Sequence, residues 1–305
     1  MSTVPIFSSK KTYNLRCLQR IFDRRAAGFD AVTFLLREIS NRMNKRFDYI
    51  KVNPSRVLDS GCGTGDDLRN LNFRFPDARA FGIDLSGAML ARSGYNEVIQ
   101  ADFSLLPFAS STFDLIWSNL ALHWHAHPNT VFQEWRRVLR VSGLLMFSTL
   151  GPNTICELRN SCFEADEAIG IMRSTTRVID FIDMHNLGDM LLNSGFDIPV
   201  MDKELLTVIY TSPNLLIDDV KRWGAYPFYR ESPLRTTRFF KSALETALNA
   251  RRRPDGKIPL TFEIIYGHGW KALSHSINEE NKIIQIKDID KVSQSSGNIS
   301  SSLYE

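Results

Sequence analysis

Apolar residues recur at helical spacing from Ile21 through Phe29, Val32, Phe34, Leu35, Leu36, Ile39 and Met43 to about Phe47. One packing face on a long leading helix is the prediction. Residues 1–20 carry no such period and read as an irregular N-terminus. From Arg56 to Leu150 short apolar runs alternate with amphipathic stretches. The runs predict strands at 56–59, 80–84, 97–101, 113–118 and 144–149, and the stretches predict helices at about 65–75, 86–92 and 130–140. Strict alternation of this kind predicts an α/β fold with a doubly wound, mainly parallel sheet and right-handed crossovers. After Gly151-Pro152 the pattern changes, to helices at 154–168, 181–195, 214–224 and 233–250 and strands at 205–210 and 258–267. From about Ser274 the chain is polar and serine-rich, and 276–305 reads as a disordered tail.

Composition narrows the class. At 305 residues and 43% hydrophobic, the chain can build a sizeable core. A formal net charge of +3 is too small for a general nucleic-acid binder, and no nucleic-acid partner is expected. Cys17, Cys62, Cys156 and Cys162 form no Cys-x-x-Cys pair and read as reduced thiols. No apolar signal core follows Lys10-Lys11, and no run is long enough to span a bilayer. The expected location is therefore cytoplasmic, away from the membrane.

Candidate chemistry begins at Val57-Leu58-Asp59-Ser60-Gly61-Cys62-Gly63-Thr64-Gly65. A buried strand ends in an acid and a glycine turn, and a helix follows with Asp66 and Asp67 in its first turn, where the macrodipole favours acids. Such a unit places a ligand at the carboxyl edge of the sheet. The glycine spacing differs from a dinucleotide fingerprint, and no lysine stands where a phosphate loop needs one. Asp84, with Leu85 beside it, ends the second strand nineteen residues after Gly65 and can accept both ribose hydroxyls of an adenosine. Asp102 and Phe103 follow the third strand; they can bond an adenine amino group and cover its ring. Asn119, Leu120, His123 and Trp124 leave the fourth strand and are expected to line the same site. His123-x-His125-x-His127 has metal-like alternation, but no acid or cysteine completes a set nearby, and no metal site is expected. Arg136, Arg137 and Arg140 share a helix face that is either solvated or a dock for an acidic partner.

Taken in order, Asp59, Gly61, Gly63, Gly65, Asp84, Leu85, Asp102, Phe103 and Asn119 resemble the S-adenosylmethionine site of class I methyltransferases. Further segments narrow the resemblance: Phe22-Asp23-Arg24-Arg25-Ala26-Ala27-Gly28-Phe29-Asp30, Phe113 to Trp124, Phe147 to Thr154 with Glu157-Leu158-Arg159, Phe181 to Gly188, Pro199 to Asp202, and Pro259 to Trp270. Over about 20–272 the chain is similar to the malonyl-[acyl-carrier-protein] O-methyltransferases of biotin synthesis. The resemblance implies a single methyltransferase domain over 21–275, an antiparallel last strand, and helices at about 21–50 and 152–200 capping the substrate side. It implies S-adenosylmethionine as cofactor and esterification of the free carboxyl of a malonyl thioester on acyl-carrier protein, or on CoA. Phe29, His123, Trp124, Arg159 and His185 are then substrate-pocket candidates. Arg159 is the first choice to hold the substrate carboxylate, against a solvated helix arginine.

Two departures bear on the pocket. Phe29 stands where the family often has tyrosine, and Asp180 stands where an arginine often precedes Phe181. Carrier-docking candidates are the Arg136 face, Lys221-Arg222 and Arg251 to Arg253, with a slight preference for the last two. Three other readings share parts of the pattern: a methyltransferase-like complex I assembly factor, a methyltransferase for a small acid or quinone, and a binding module without catalysis.

Overall fold

The leading region starts earlier and breaks more often than its periodicity predicts. The computed structural model describes residues 15–171, 177–223 and 237–272; the predicted disordered tail and the start of the helix predicted at 233 lie outside them. A helix, α1, already spans Leu15–Arg25, where the sequence pattern predicts irregular chain to residue 20. A 3-10 segment, Ala26–Val32, then separates it from α2, Phe34–Arg46. Gly28 and Asp30 are weak helix formers. Asp30 is held elsewhere: its carboxylate accepts the Thr64 hydroxyl at 2.9 Å, while Thr33 donates to its carbonyl at 3.0 Å.

The alternating region follows: β1 (Arg56–Ser60), α3 (Asp66–Arg74), β2 (Arg79–Asp84), α4 (Gly87–Ser93), β3 (Val98–Gln100), β4 (Phe113–Ser118), α5 (Pro128–Val138) and β5 (Leu139–Leu150). Beyond it lie α6 (Cys156–Ala168), α7 (Met184–Asn193), β6 (Phe196–Tyr210), α8 (Pro213–Trp223), α9 (Arg238–Asn249) and β7 (Ile258–Lys271). These strands form one sheet in the order β3-β2-β1-β4-β5-β7-β6. Strands β1 to β5 pair in parallel, and β7 runs antiparallel to both β5 and β6. The expected architecture is thus present, with its antiparallel last strand inserted between β5 and the edge.

Two strands exceed their predicted lengths for local reasons. Strand β5 begins at Leu139, because Leu139 pairs with Phe113 and the predicted helix end at 140 gives way to the ladder. Strand β6 begins at Phe196, well before the predicted 205, since Pro199 masks its pattern. As an edge strand it tolerates proline, and the register shifts between Asp197 and Val200.

Successive residues feed opposite faces of the sheet. Val57, Leu115, Leu144 and Ile264 join one core with α2, α6 and α9 residues, while Leu58, Ile116, Leu145 and Ile265 join the other around Trp135 and Phe132. This is the two-residue period of a strand buried on both faces. Phe113 and Leu115 face opposite cores although two residues apart; the register shift between them explains it. The carboxyl edge of this sheet carries the loops described next.

Candidate active site

The turns leaving β1, β2, β3 and β4 meet α1, the 3-10 segment and α2 around a cavity. Gly61, at φ 91°, makes the meeting possible: a Cβ there would lie 2.4 Å from the Ala121 side chain. The Gly61 and Cys62 N–H groups both donate to the Ile83 carbonyl at 2.9 Å, so the β1 turn is pinned to β2.

Asp84 completes that corner. Its two oxygens accept the Gly63 N–H at 2.9 Å and the Ser86 N–H at 2.8 Å. Burial still pushes its acid up to about 6, against the pull of those N–H donors. Each carboxylate oxygen retains a lone pair, as a ribose diol requires. Asp102 accepts the Ser104 N–H at 3.0 Å and the Ser104 hydroxyl at 2.6 Å. Phe103 stands beside it, its ring centroid 5.5 Å from that of His125. Leu85 also lines the cavity, and its carbonyl accepts from Gln100 at 3.0 Å.

Asn119 is tied into the fold. It donates to the Leu36 carbonyl and to Asp67, each at 2.9 Å, and accepts from Ser148 at 2.8 Å. Asp67 also accepts the Ser40 hydroxyl. Burial raises the Asp67 acid, and its hydrogen bonds oppose the rise. As a site residue Asp67 escapes sequence reasoning, because an acid in a first helical turn is already explained by the dipole. Asp59 is buried at the end of β1 and does not itself line the cavity. Neither of its oxygens has a hydrogen-bond partner among the described residues. Burial, then Asp67 and Asp84, hold it well above the usual carboxylate range.

Asp66, Asp67, Asp84 and Asp102 line the cavity against Arg37, whose Nε already meets Asp66 at 2.7 Å. A surplus of half-buried acid with a buried, orphaned carboxylate behind it fits a ligand that carries positive charge, hydroxyls and amino groups. S-adenosylmethionine meets that demand through its sulfonium, its ammonium and its ribose.

The rest of the lining is apolar. Phe22 stacks edge-on against Trp124 at 5.3 Å, and Phe181 meets His123 at 5.7 Å. Phe29 lies by the glycine turn, 3.6 Å from where a Gly63 Cβ would stand. Burial pushes His123 down to about 3, so its imidazole is neutral. His123 Nδ1 and Trp223 Nε1 are buried without a hydrogen-bond partner among the described residues. Trp223, Phe181, Phe262 and the α1 residues are lining that sequence reasoning missed; their periodicity looks like ordinary core.

Several expected residues stand elsewhere. Gly65 caps α3 at φ 85° with Ser93 and Tyr95 around it, outside the cavity lining. His185 is exposed on α7, away from the cavity. Arg159 is also absent from the lining: it donates at 2.9 Å to the carbonyls of Pro152 and Ile179 and staples two loops together. The Arg136 face is spent internally, on the Gly195 carbonyl, on Glu134 and on Asp114. Among the described residues no three His, Cys, Asp or Glu side chains converge as metal ligands. No described helix is long and apolar enough to cross a membrane.

Comparison with known proteins agrees with this geometry. A family model described as a methyltransferase domain matches residues 58–147. A malonyl-[acyl-carrier protein] O-methyltransferase of Gallionella capsiferriformans is 39% identical over 271 residues, covering 84% of this chain and 90% of that protein. One from Laribacter hongkongensis is 40% identical over 267 residues, covering 82% and 87%. Among solved structures, YcgJ from Bacillus subtilis superposes with a TM-score of 0.52 over 76% of this chain and 98% of its own, at 17% identity. That last likeness speaks for the fold.

Proposed function

The chain belongs to the malonyl-[acyl-carrier protein] O-methyltransferase family, and from that premise we propose how it esterifies the free carboxyl of a malonyl thioester on a carrier protein, an early step of biotin synthesis. The cofactor, S-adenosylmethionine, supplies an electrophilic methyl group on a sulfonium. In this reading Asp84 accepts the ribose hydroxyls, and Asp102 with Phe103 holds the adenine. Gly61 and Gly63 let the backbone approach the cofactor. Asp67, with Asp59 behind it, supplies the negative charge that its amino group requires.

A carboxylate with a reference pKa of about 4 is ionised near neutrality. No general base is required, and none of the cavity side chains is assigned as one. The task is alignment in a dry pocket, where proximity and orientation carry most of the rate. Phe22, Phe29, Trp124 and Phe181 supply the water-excluding wall. His123 Nδ1 and Trp223 Nε1 are the donors we assign to the substrate carboxylate. Being neutral, they orient it without forming a full ion pair, which would blunt its attack. Arg159 then serves as a loop staple. The four cysteines are free thiols, which supports a cytoplasmic setting.

One observation carries this reading: a single cavity is acidic where a cationic cofactor would sit and aromatic, with an unpartnered imidazole nitrogen and indole N–H, where an acid would arrive. The test is a methyl-transfer assay with malonyl-carrier protein, malonyl-CoA and free malonate side by side, with the ester identified by mass. Methylation of a malonyl thioester is the expected result. Turnover of none of the three, by protein that binds the cofactor, would overturn it.

A further inference from the structure

Helix α1 has two faces of opposite character. Leu15, Leu18 and Phe22 line the cavity. Arg16, Arg20 and Arg24 follow one another at steps of four and are all exposed. At 3.6 residues per turn these three form one stripe, about half a turn from the apolar one. The helix has a single acid, Asp23, and it does not screen the stripe. Asp23 turns towards α4, accepting the Ser86 hydroxyl at 2.6 Å and the Ala88 N–H at 3.3 Å.

In each of the other basic clusters at least one member is paired from within. Arg137 pairs with Glu134 at 2.7 Å, Arg140 with Asp114 at 2.8 Å, Lys221 with Asp218 at 3.4 Å, and Arg251 with Glu164 at 2.6 Å. Arg20 and Arg24 form no ion pair among the described residues. Arg24 instead crowds Arg25, whose pKa falls to about 10 through burial first and this like charge second. Arg20 and Arg24, exposed cations with no ion pair among the described residues on the outer face of a cavity-lining helix, are complementary to an acidic protein surface.

We propose that the Arg20-Arg24 face of α1 is the dock for an acidic carrier protein, whose malonyl-bearing arm enters the cavity past the Leu15, Leu18 and Phe22 side of the same helix. The inference rests on the carrier-bound substrate proposed above. It replaces the Arg136 face, Lys221-Arg222 and Arg251 to Arg253 as the electrostatic contact. The dock and the pocket wall share one helix, so a carrier seated on the stripe holds its arm at the cavity's rim.

Steady-state kinetics on two thioesters test it. Arg20→Glu/Arg24→Glu should lower kcat/KM for malonyl-carrier protein by about tenfold or more, acting mainly on the encounter rate. It should leave malonyl-CoA, which has no acidic protein surface, within about twofold, a result that also certifies the fold. Raising salt should erode the wild-type advantage on the carrier and spare the variant. Arg20→Gln/Arg24→Gln, with charge removed instead of reversed, should give a smaller loss of the same selectivity. Arg252→Glu/Arg253→Glu should change neither substrate. Equal kinetics of wild type and the Arg20→Glu/Arg24→Glu variant on the carrier, or equal losses on both thioesters, would overturn the dock. Fluorescence anisotropy of labelled carrier protein with wild type and variant reads docking without turnover. Inactive wild type that still binds carrier through the stripe would count against the carboxyl-methylation reading and for the dock.

Discussion

The two ends of the cavity are built on opposite electrostatic plans. At the sheet edge, the half-buried acids Asp67 and Asp84 are raised above their ordinary range, and the buried Asp59 behind them is raised further. At the helical end, His123 is pushed below its ordinary range and stands among Phe22, Trp124 and Phe181. Desolvation is the leading cause at both ends, and it always disfavours the charged form. The lesson lies in what each end lacks. Asp59, a buried acid without a hydrogen-bond partner among the described residues, is costly until a cation arrives. Neutral donors without partners are costly until an acceptor arrives. Each end is therefore incomplete in a way that only its own ligand repairs.

The largest expected effect breaks the acidic end at its backbone. Gly61→Val sets a branched side chain at φ 91°, with its Cβ 2.4 Å from Ala121. Overpacking and left-handed strain together should cost about 3 kcal/mol or more, read as a fall in Tm and loss of measurable cofactor binding. Wild-type Tm and Kd in this variant would mean that the β1 turn is not the cradle.

Next comes the ribose acceptor. Asp84→Ala should weaken S-adenosylmethionine binding by about 1.5–3 kcal/mol, the range for a hydrogen bond to a charged group. Calorimetry measures it, and an unchanged Kd would remove Asp84 from the cofactor's partners. The loss should be confined to the cofactor, since the hydrogen bonds of Asp84 go to Gly63 and Ser86 at the glycine-turn corner.

The same two ends should respond to acid with opposite sign. Asp84 is raised in the folded state from 3.8 to about 6. Its contribution to stability is present below about pH 4 and lost as pH rises through about 6. His123 is lowered from 6.5 to about 3. Its contribution is present above about pH 6.5 and lost as pH falls towards 3. Going from pH 7 to pH 5, the wild type should therefore gain on Asp84→Asn and lose to His123→Phe, each by about 1–2 kcal/mol. Thermal unfolding of the three proteins without cofactor at both pH values checks it. Shifts of the same sign in both comparisons would refute the opposition.

How much of this was legible in the chain follows the same division. The acidic end lies on one contiguous strand-turn-helix and two later strand ends, so the order of Gly61, Gly63, Asp84 and Asp102 already implies their convergence. The aromatic end is assembled from α1, the 3-10 turn Leu122–Trp124 after β4, the loop before α7, and α8, elements scattered along the chain from Leu15 to Trp223. Leu15, Leu18 and Phe22 have helical spacing, yet arginines between them hide it. Arg159 reads as a carboxylate clamp because guanidinium suits the task; its use on two carbonyls is a tertiary fact. Gly65 and His185 belong to their motifs in sequence and turn away from the cavity in space.

The smallest effect sharpens the aromatic end. His123→Phe keeps the ring that packs against Trp124 and Phe181 and removes only the nitrogens. A donor to the substrate carboxylate stabilises the bound acid more than the transition state, because negative charge drains from the oxygens as the ester forms. Removing such a donor should therefore act on substrate binding first. KM for the malonyl thioester should rise about tenfold, the scale of one hydrogen bond to a charged group. By the same reasoning kcat should hold or rise, since ground-state stabilisation is what has been lost. The Kd for S-adenosylmethionine should not move, because the adenosine partners lie at the other end. Steady-state kinetics with cofactor calorimetry separates these outcomes. A fall in kcat at unchanged KM would instead place His123 in contact with the reacting atoms of the transition state, and the division of labour between the two ends would have to be redrawn.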